Sequence, residues 1–192
     1  MTLSMPPTSW SLLGLRRGEV LGLTWPDVNL DAAEVAITWQ LQRARGELRH
    51  RETKTPGSEA ILPLPDICVT ALKLRAEAQA RDRDRDRDRA AAGDVWQDTP
   101  LVFTTTLGTP YEPRNFARHF ALRCEKAGVR YNKVHDTRRT CGSLLAALDV
   151  HPRTVMQILR HSKIAITMEI YTEVPDARTR EALRSLGRQL DG

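Results

Sequence analysis

Between residues 10 and 30 the apolar positions Leu12, Leu13, Leu15, Val20, Leu21 and Leu23 recur at spacings that give a helix one buried face. Gly14 and Gly18 interrupt that face. The pattern predicts a helix ending near Gly14, a tight turn, and a second helix from about Arg16 to Trp25 that Pro26 stops. From Glu34 to Pro65 the period changes to two. Val35, Ile37 and Trp39 alternate with smaller or polar residues, Arg45-Gly46-Glu47 offers a turn, and Ala60 to Leu64 is extended again. A small three-stranded antiparallel sheet near the N-terminus is expected, its second turn carrying Thr53-Lys54-Thr55-Pro56-Gly57.

The remainder reads as helical. Asp66 is placed to cap a long helix containing Val69, Leu72 and Leu74. That helix runs into an alternating Arg-Asp repeat, Arg81 to Arg89, within a low-complexity stretch at 81–93. In a helix the repeat sets opposite charges at i,i+3 but like charges at i,i+4, so local pairing nearly cancels; a frayed, solvated helix end or a loop is expected. A short extended piece at Leu101 to Thr104 follows, then a helix from about Pro113 to Ala127 with Phe116, Phe120 and Cys124 on one face and Gly128 as its stop. Four more helices are expected, at roughly 136–148, 152–160, 164–171 and 176–190, with Pro152 in a first turn. The fold class is α+β, mostly helical, in a single domain over 1–192.

Composition narrows the function. The 192 residues are 41% hydrophobic and 28% charged, as in a globular protein. A formal charge of +5 favours a polyanionic partner such as nucleic acid. Cys68, Cys124 and Cys141 are odd in number and far apart, which reads as reduced thiols of a cytosolic protein. No apolar run approaches a membrane span, and Met1 to Ser9 has no secretory pattern. His135 and His161 with Cys124 or Cys141 are the nearest thing to a metal set, but no CxxC or HxxxH spacing supports one, so no cofactor and no metal are expected.

The richest segment is His135 to Tyr171. His135 and Arg138 stand three apart at a helix start and project from one side. His161 lies in Leu159-Arg160-His161-Ser162 between two helices, and Tyr171 follows ten residues later. With Gly14-Leu15-Arg16-Arg17-Gly18-Glu19 upstream and Thr53-Lys54-Thr55 on a strand turn, this string resembles the catalytic domain of the tyrosine recombinase (phage integrase) family, from about Leu12 to Leu186. The resemblance implies that Arg16 and Arg138 are the two active-site arginines, Lys54 the sheet-turn lysine, His135 and His161 the two histidines, and Tyr171 the nucleophile. It also implies double-stranded DNA as partner, a homotetramer on DNA, an accessory directionality factor, and work at the nucleoid in the cytoplasm.

Elementary chemistry gives that set its roles. Displacement at a phosphodiester places extra charge on the phosphoryl oxygens, and two arginine forks neutralise it without a metal. Tyrosine has a free pKa of about 10, so Tyr171 needs a base, which His135 supplies. Lys54 protonates the leaving 5′ oxygen, and His161 donates a hydrogen bond to the phosphate. The phosphotyrosyl bond keeps the energy of the broken linkage, so resealing needs no ATP.

Several positions depart from the family pattern. Arg139 stands where a His is usual, and Arg160 where a Gly is usual before the late His. The family's amino-terminal DNA-binding domain and first helix have no counterpart here, so the chain reads as N-terminally truncated. Glu19 is expected to partner a neighbouring cation, while Arg17, Arg139 and Arg160 are phosphate contacts or surface charge. Leu183, Leu186 and Leu190 in the tail either dock on a neighbouring protomer or pack on their own domain. Two alternatives stand beside an active recombinase: an impaired prophage relic or DNA-binding protein without catalysis, and a type IB topoisomerase.

Overall fold

The computed structural model describes residues 13–53, 60–89, 96–131, 133–172 and 188. Lys54, the end of the low-complexity stretch and the expected helix at 176–190, apart from Arg188, lie outside the described residues.

The chain turns at Gly14, whose φ of +57° suits a residue without Cβ, and enters helix α1, Arg17–Gly22. This helix is shorter than its apolar spacing suggests. Leu23 turns extended, Thr24 bridges to Leu101, and Pro26 lies in a separate 3-10 turn, Trp25–Asp27. A Cβ on Gly22 would lie 2.6 Å from Gln40 Cα, so α1 rests directly on strand backbone.

The sheet region holds five strands: β1 Val28–Asn29, β2 Glu34–Ala36, β3 Trp39–Ala44, β4 Glu47–Glu52 and β5 Ile61–Pro63. A three-stranded antiparallel sheet is present, in the order β1-β2-β5, with Val35 opposite Val28 and Leu62. The strands on either side of Arg45-Gly46 form a second, two-stranded ladder, with Trp39 opposite Glu52. The alternating stretch from Glu34 is thus shared between two sheets: the Ile37 N–H continues the β2–β5 ladder to the Ala60 carbonyl, and the Thr38 carbonyl continues the β3–β4 ladder by accepting from the Thr53 N–H. Positive φ at both Arg45 and Gly46, 51° and 83°, gives the mirror-image turn that matches strand twist. His50 joins this hairpin to α1 through a 2.8 Å contact between Nε2 and the Gly22 carbonyl.

Helix α2 runs from Asp66 to Arg89, so the Arg-Asp repeat is the end of this helix, the first of the two expected outcomes, and not a loop. The reason is tertiary. Arg75 Nε donates to the Val102 carbonyl at 2.8 Å, Gln79 Nε2 to that of Leu101 at 3.0 Å, and Trp25 Nε1 to Gln79 Oε1 at 2.6 Å. One turn on, Arg83 pairs with Asp98 at 2.7 Å and lies 5.6 Å above the Trp96 ring, carrying the stripe into the repeat. The extended Leu101 to Thr104 segment is buried under this stripe.

Four helices follow: α3 Pro113–Lys126, α4 Asp136–Ala147, α5 Pro152–Leu159 and α6 Ile164–Thr172. Gly128, at φ +63°, ends α3, and Pro152 opens α5 as expected. Helices α4, α5 and α6 pack around Cys141, Ala146, Val155, Leu159 and Ile170. Gly142 lets α6 approach, since a Cβ there would meet Ile170 Cδ1 at 2.6 Å. All three cysteines are buried free thiols, and burial pushes the Cys68 thiol up to about 11. No helix among the described residues is long and apolar enough to cross a membrane.

Candidate active site

The site is built where the front of the chain meets the last three helices. Arg16 is the N-cap of α1, in extended backbone. A carboxylate three residues on is placed to take the free amides of a helix start. Glu19 does so, accepting from the Arg16 backbone N–H at 2.7 Å and from Arg16 Nη1 at 2.7 Å. Glu19 is itself buried, whereas the Arg16 side chain keeps 45% of its surface open. The partner role expected for Glu19 is therefore present, and it aims Arg16.

Arg138 enters from the first turn of α4 and is buried. Its Nη1 donates to the Gly14 carbonyl at 2.5 Å, a contact across 124 residues of sequence. Gly14 is required on two counts. Its φ is left-handed, and a Cβ there would stand 2.4 Å from Leu159 Cδ2 and 3.4 Å from Cys141 Sγ. Burial first, then repulsion from Arg16 and Arg160, pull the Arg138 guanidinium down to about 10, which still leaves it charged at neutral pH.

Arg160, read from sequence as a phosphate contact or surface charge, is not surface charge in this structure but buried. It follows α5 in the left-handed region, φ 50° and ψ 47°, and its side chain is 2% exposed. Its Nη2 pairs with Glu19 Oε2 across 141 residues. One carboxylate thus sits among three guanidiniums. The sequence signal was available in part: Arg160 directly precedes His161, at a position where backbone geometry favours glycine.

His161 Nδ1 lies 2.9 Å from Thr167 Oγ1, which fixes the ring from α6. Desolvation, helped by Arg138, Arg16 and Arg160, lowers its pKa to about 4, so it is a neutral imidazole at physiological pH. His135 is the exposed N-cap of α4. A cavity of about 190 Å³ is lined by His135, Arg138, His161, Leu159 and Ile170 among others. A larger groove of about 740 Å³ is lined by Arg16, Arg17, Arg43, Arg114, Lys133 and again His135. His135 stands at the join of the two. An Arg43–Glu112 ion pair, with Arg43 Nε 3.0 Å from Oε2, crosses the groove between β3 and the start of α3.

Tyr171 is placed apart. Its neighbour Ile170 lines the small cavity, but the partly buried Tyr171 ring packs against the cluster of Cys141, Ala146, Val155, Leu159 and Ile170, and its hydroxyl donates to the Val150 carbonyl. Burial and the charge of Asp149 raise its pKa above the usual phenol value. Arg16, Arg138, His135 and His161 are thus brought together, Tyr171 is adjacent with its hydroxyl turned away, and Lys54 lies outside the described residues. Among the described residues no group of three or more His, Cys, Asp or Glu is placed to hold a metal ion.

The sequence pattern of the phage integrase family matches residues 11–178. A XerC-like tyrosine recombinase of Caldanaerobacter subterraneus subsp. tengcongensis is 30% identical over 185 residues, covering 90% of this chain and 46% of that protein. An integrase of Streptomyces ambofaciens is 30% identical over 171 residues, covering 83% of this chain and 41% of the relative. This chain therefore spans less than half the length of either curated relative. Among solved structures, the Tn1549 transposon integrase in complex with transposon right end DNA superposes with a TM-score of 0.75 at 19% identity, over 94% of this chain and 58% of that one. XerA recombinase gives 0.66 at 20% identity, over 93% and 55%. Both share the fold.

Proposed function

The chain belongs to the phage integrase family, and on that premise we propose that it cleaves and rejoins double-stranded DNA at specific sites through a 3′-phosphotyrosyl link to Tyr171. The observation that carries the proposal is the meeting of Arg16, Arg138 and His161, from three distant stretches of sequence, beside a polar cavity with His135 at its mouth. Arg138 Nη2 is buried with no partner among the described residues. A buried guanidinium with a spare N–H is a ready donor to a phosphoryl oxygen.

In this reading the groove beside Arg16, Arg17, Arg114 and Lys133 takes the DNA backbone, and the scissile phosphate enters at His135. Tyr171 Oη attacks phosphorus while His135 accepts the phenolic proton. The bond from phosphorus to the 5′ oxygen breaks, and Lys54 gives that oxygen a proton. His161, neutral at physiological pH, donates one ring N–H to the phosphate while its Nδ1 faces Thr167. Resealing runs the same steps backward with a second strand's 5′ hydroxyl. Tyr171 must first leave the Val150 carbonyl and turn toward the arginines, a local rotation at the end of α6. In relatives of this kind the working unit on DNA is expected to be a tetramer, with an accessory factor setting direction.

A second reading, DNA binding without cleavage, is favoured by the tie between Tyr171 and Val150. Trapping decides between them. A duplex selected by this chain from a randomised pool, nicked beside the cleavage point, is expected to yield a covalent protein-DNA adduct that resists a chelator and is absent in Tyr171→Phe. Binding without adduct supports the second reading, an adduct that persists in Tyr171→Phe overturns the nucleophile, and dependence on a divalent ion overturns the mechanism.

A further inference from the structure

We propose that Arg160 is a positioning residue for strand cleavage: by neutralising Glu19 in the interior it leaves Arg16 and Arg138 free to bind the reacting phosphate. The inference rests on the cleavage reading above and concerns the charge of that same site.

Glu19 is in the interior, and its two oxygens face both arginines: Oε1 accepts from Arg16 Nη1 and Oε2 from the Arg16 backbone N–H and Arg160 Nη2. A buried carboxylate with Arg16 as its sole counter-ion would compete with phosphate for that guanidinium, because both ligands bind through oxygen pairs. With Arg160 present, the three guanidiniums of Arg16, Arg138 and Arg160 and the one carboxylate of Glu19 form a cluster with a net charge of two positive. A phosphodiester carries one negative charge, and its pentacoordinate transition state carries about two on the equatorial oxygens. Without Arg160 the cluster would fall to one, which matches the ground state and not the transition state.

Arg160 holds this place against backbone preference. It is the residue after α5, at φ 50°, a conformation that glycine adopts freely and a long side chain does not. Its guanidinium reaches inward from that turn to a side chain on α1, and its 2% exposure keeps it out of direct contact with DNA. Its action on the phosphate is therefore through Glu19 and Arg16. This also distinguishes it from the exposed arginines of the groove, whose contacts would be with phosphate itself.

The test uses the full 192-residue chain and a duplex that it selects from a randomised pool, with a sulfur in place of the bridging 5′ oxygen so that departure of the leaving group needs no proton. Adduct formation is timed at saturating duplex, and duplex affinity is measured separately. Arg160→Gly fits the left-handed turn and is expected to slow adduct formation on the order of 10- to 100-fold, the effect of one unit charge a few ångströms away, with affinity within about threefold. Adding Glu19→Gln to Arg160→Gly restores the net charge of two and is expected to recover most of the rate, while Arg160→Lys retains a substantial part of it. A purely structural role predicts the opposite order, with the double variant slower than the single one. Arg160→Gly cleaving at the unaltered rate, or no recovery in the double variant, overturns the inference. If Arg160→Gly alone does not fold, the folded double variant is compared with the unaltered chain, and a loss beyond about tenfold overturns it. No adduct from the unaltered chain overturns the cleavage reading itself and this inference with it, so the two failures are told apart.

Discussion

The front and the back of this molecule are held by different means. Residues from Leu13 to Tyr111 share a core of sixteen buried apolar residues that joins α1, the strands, α2 and the segment at Leu101 to Thr104. Helices α4, α5 and α6 share five such residues among those described. The small core does not stand free. It is fastened to the large one by polar and close-packed ties: Glu19 to Arg160, the Gly14 carbonyl to Arg138, and Gly14 itself against Leu159 and Cys141. Those same ties aim the cations of the candidate site. The active-site geometry and the attachment of the back region are thus one structural feature, and a change that loosens one should loosen the other.

The harshest test of that link is Glu19→Gln. It removes the carboxylate that faces Arg16 and Arg160, so three guanidiniums are left without a counter-charge. Removing one partner of a buried ion pair is expected to lower stability by about 3–5 kcal/mol. Hydrogen exchange should show α4 to α6 losing protection before the sheet; equal loss in both regions would show that the ties do not divide the molecule as described.

A milder break is Gly14→Ala. The added methyl meets Leu159 at 2.4 Å and forces a left-handed alanine, for a combined loss of about 2–4 kcal/mol in urea unfolding. Because Gly14 also presents its carbonyl to Arg138, phosphate recognition should weaken in parallel. A variant that loses stability while its adduct rate stays unchanged would separate the tie from the site.

The gentlest probe is pH. The folded-state pKa of His161, about 4, lies below the ordinary 6.5, so the folded state favours the neutral ring. Its contribution to stability is complete above about pH 6.5 and is lost as pH falls toward 4. Comparing the unaltered chain with His161→Gln across this range should reveal a difference on the order of 1 kcal/mol, small because the ring is partly open to solvent. A flat difference would mean that neither burial nor the three arginines act on this ring as placed.

Much of the front was legible from pattern. The switch from helical spacing to alternation at Glu34, the turn at Arg45-Gly46, the helix stop at Gly128 and the helix start at Pro152 are local chemistry, and each appears where the residues put it. The misreadings have non-local causes. The three-stranded sheet is present, but its members are β1, β2 and β5, with β3 and β4 in a second ladder, because which strand each part of the alternating stretch pairs with is a long-range choice that alternation does not reveal. Between the helix end and the loop that charge counting left open for the Arg-Asp repeat, the helix is taken where Arg75, Gln79 and Arg83 dock on a later segment of the chain, which i,i+4 counting does not see. In the site, the pairing of Arg16 with Glu19 follows from their three-residue spacing, but nothing in the spacing of Arg160 discloses that it is buried.

By itself the sequence determined the family and the order of the elements, because motifs and hydrophobic periods are properties of neighbouring positions. Tertiary structure alone decided that Arg160 turns inward to Glu19, that Gly14 supports Arg138, and that the Tyr171 hydroxyl rests on the Val150 carbonyl. Those outcomes depend on desolvation and on charges from α1, α4 and α5 meeting in one low-dielectric place. Such energies exist only after the chain has closed over them.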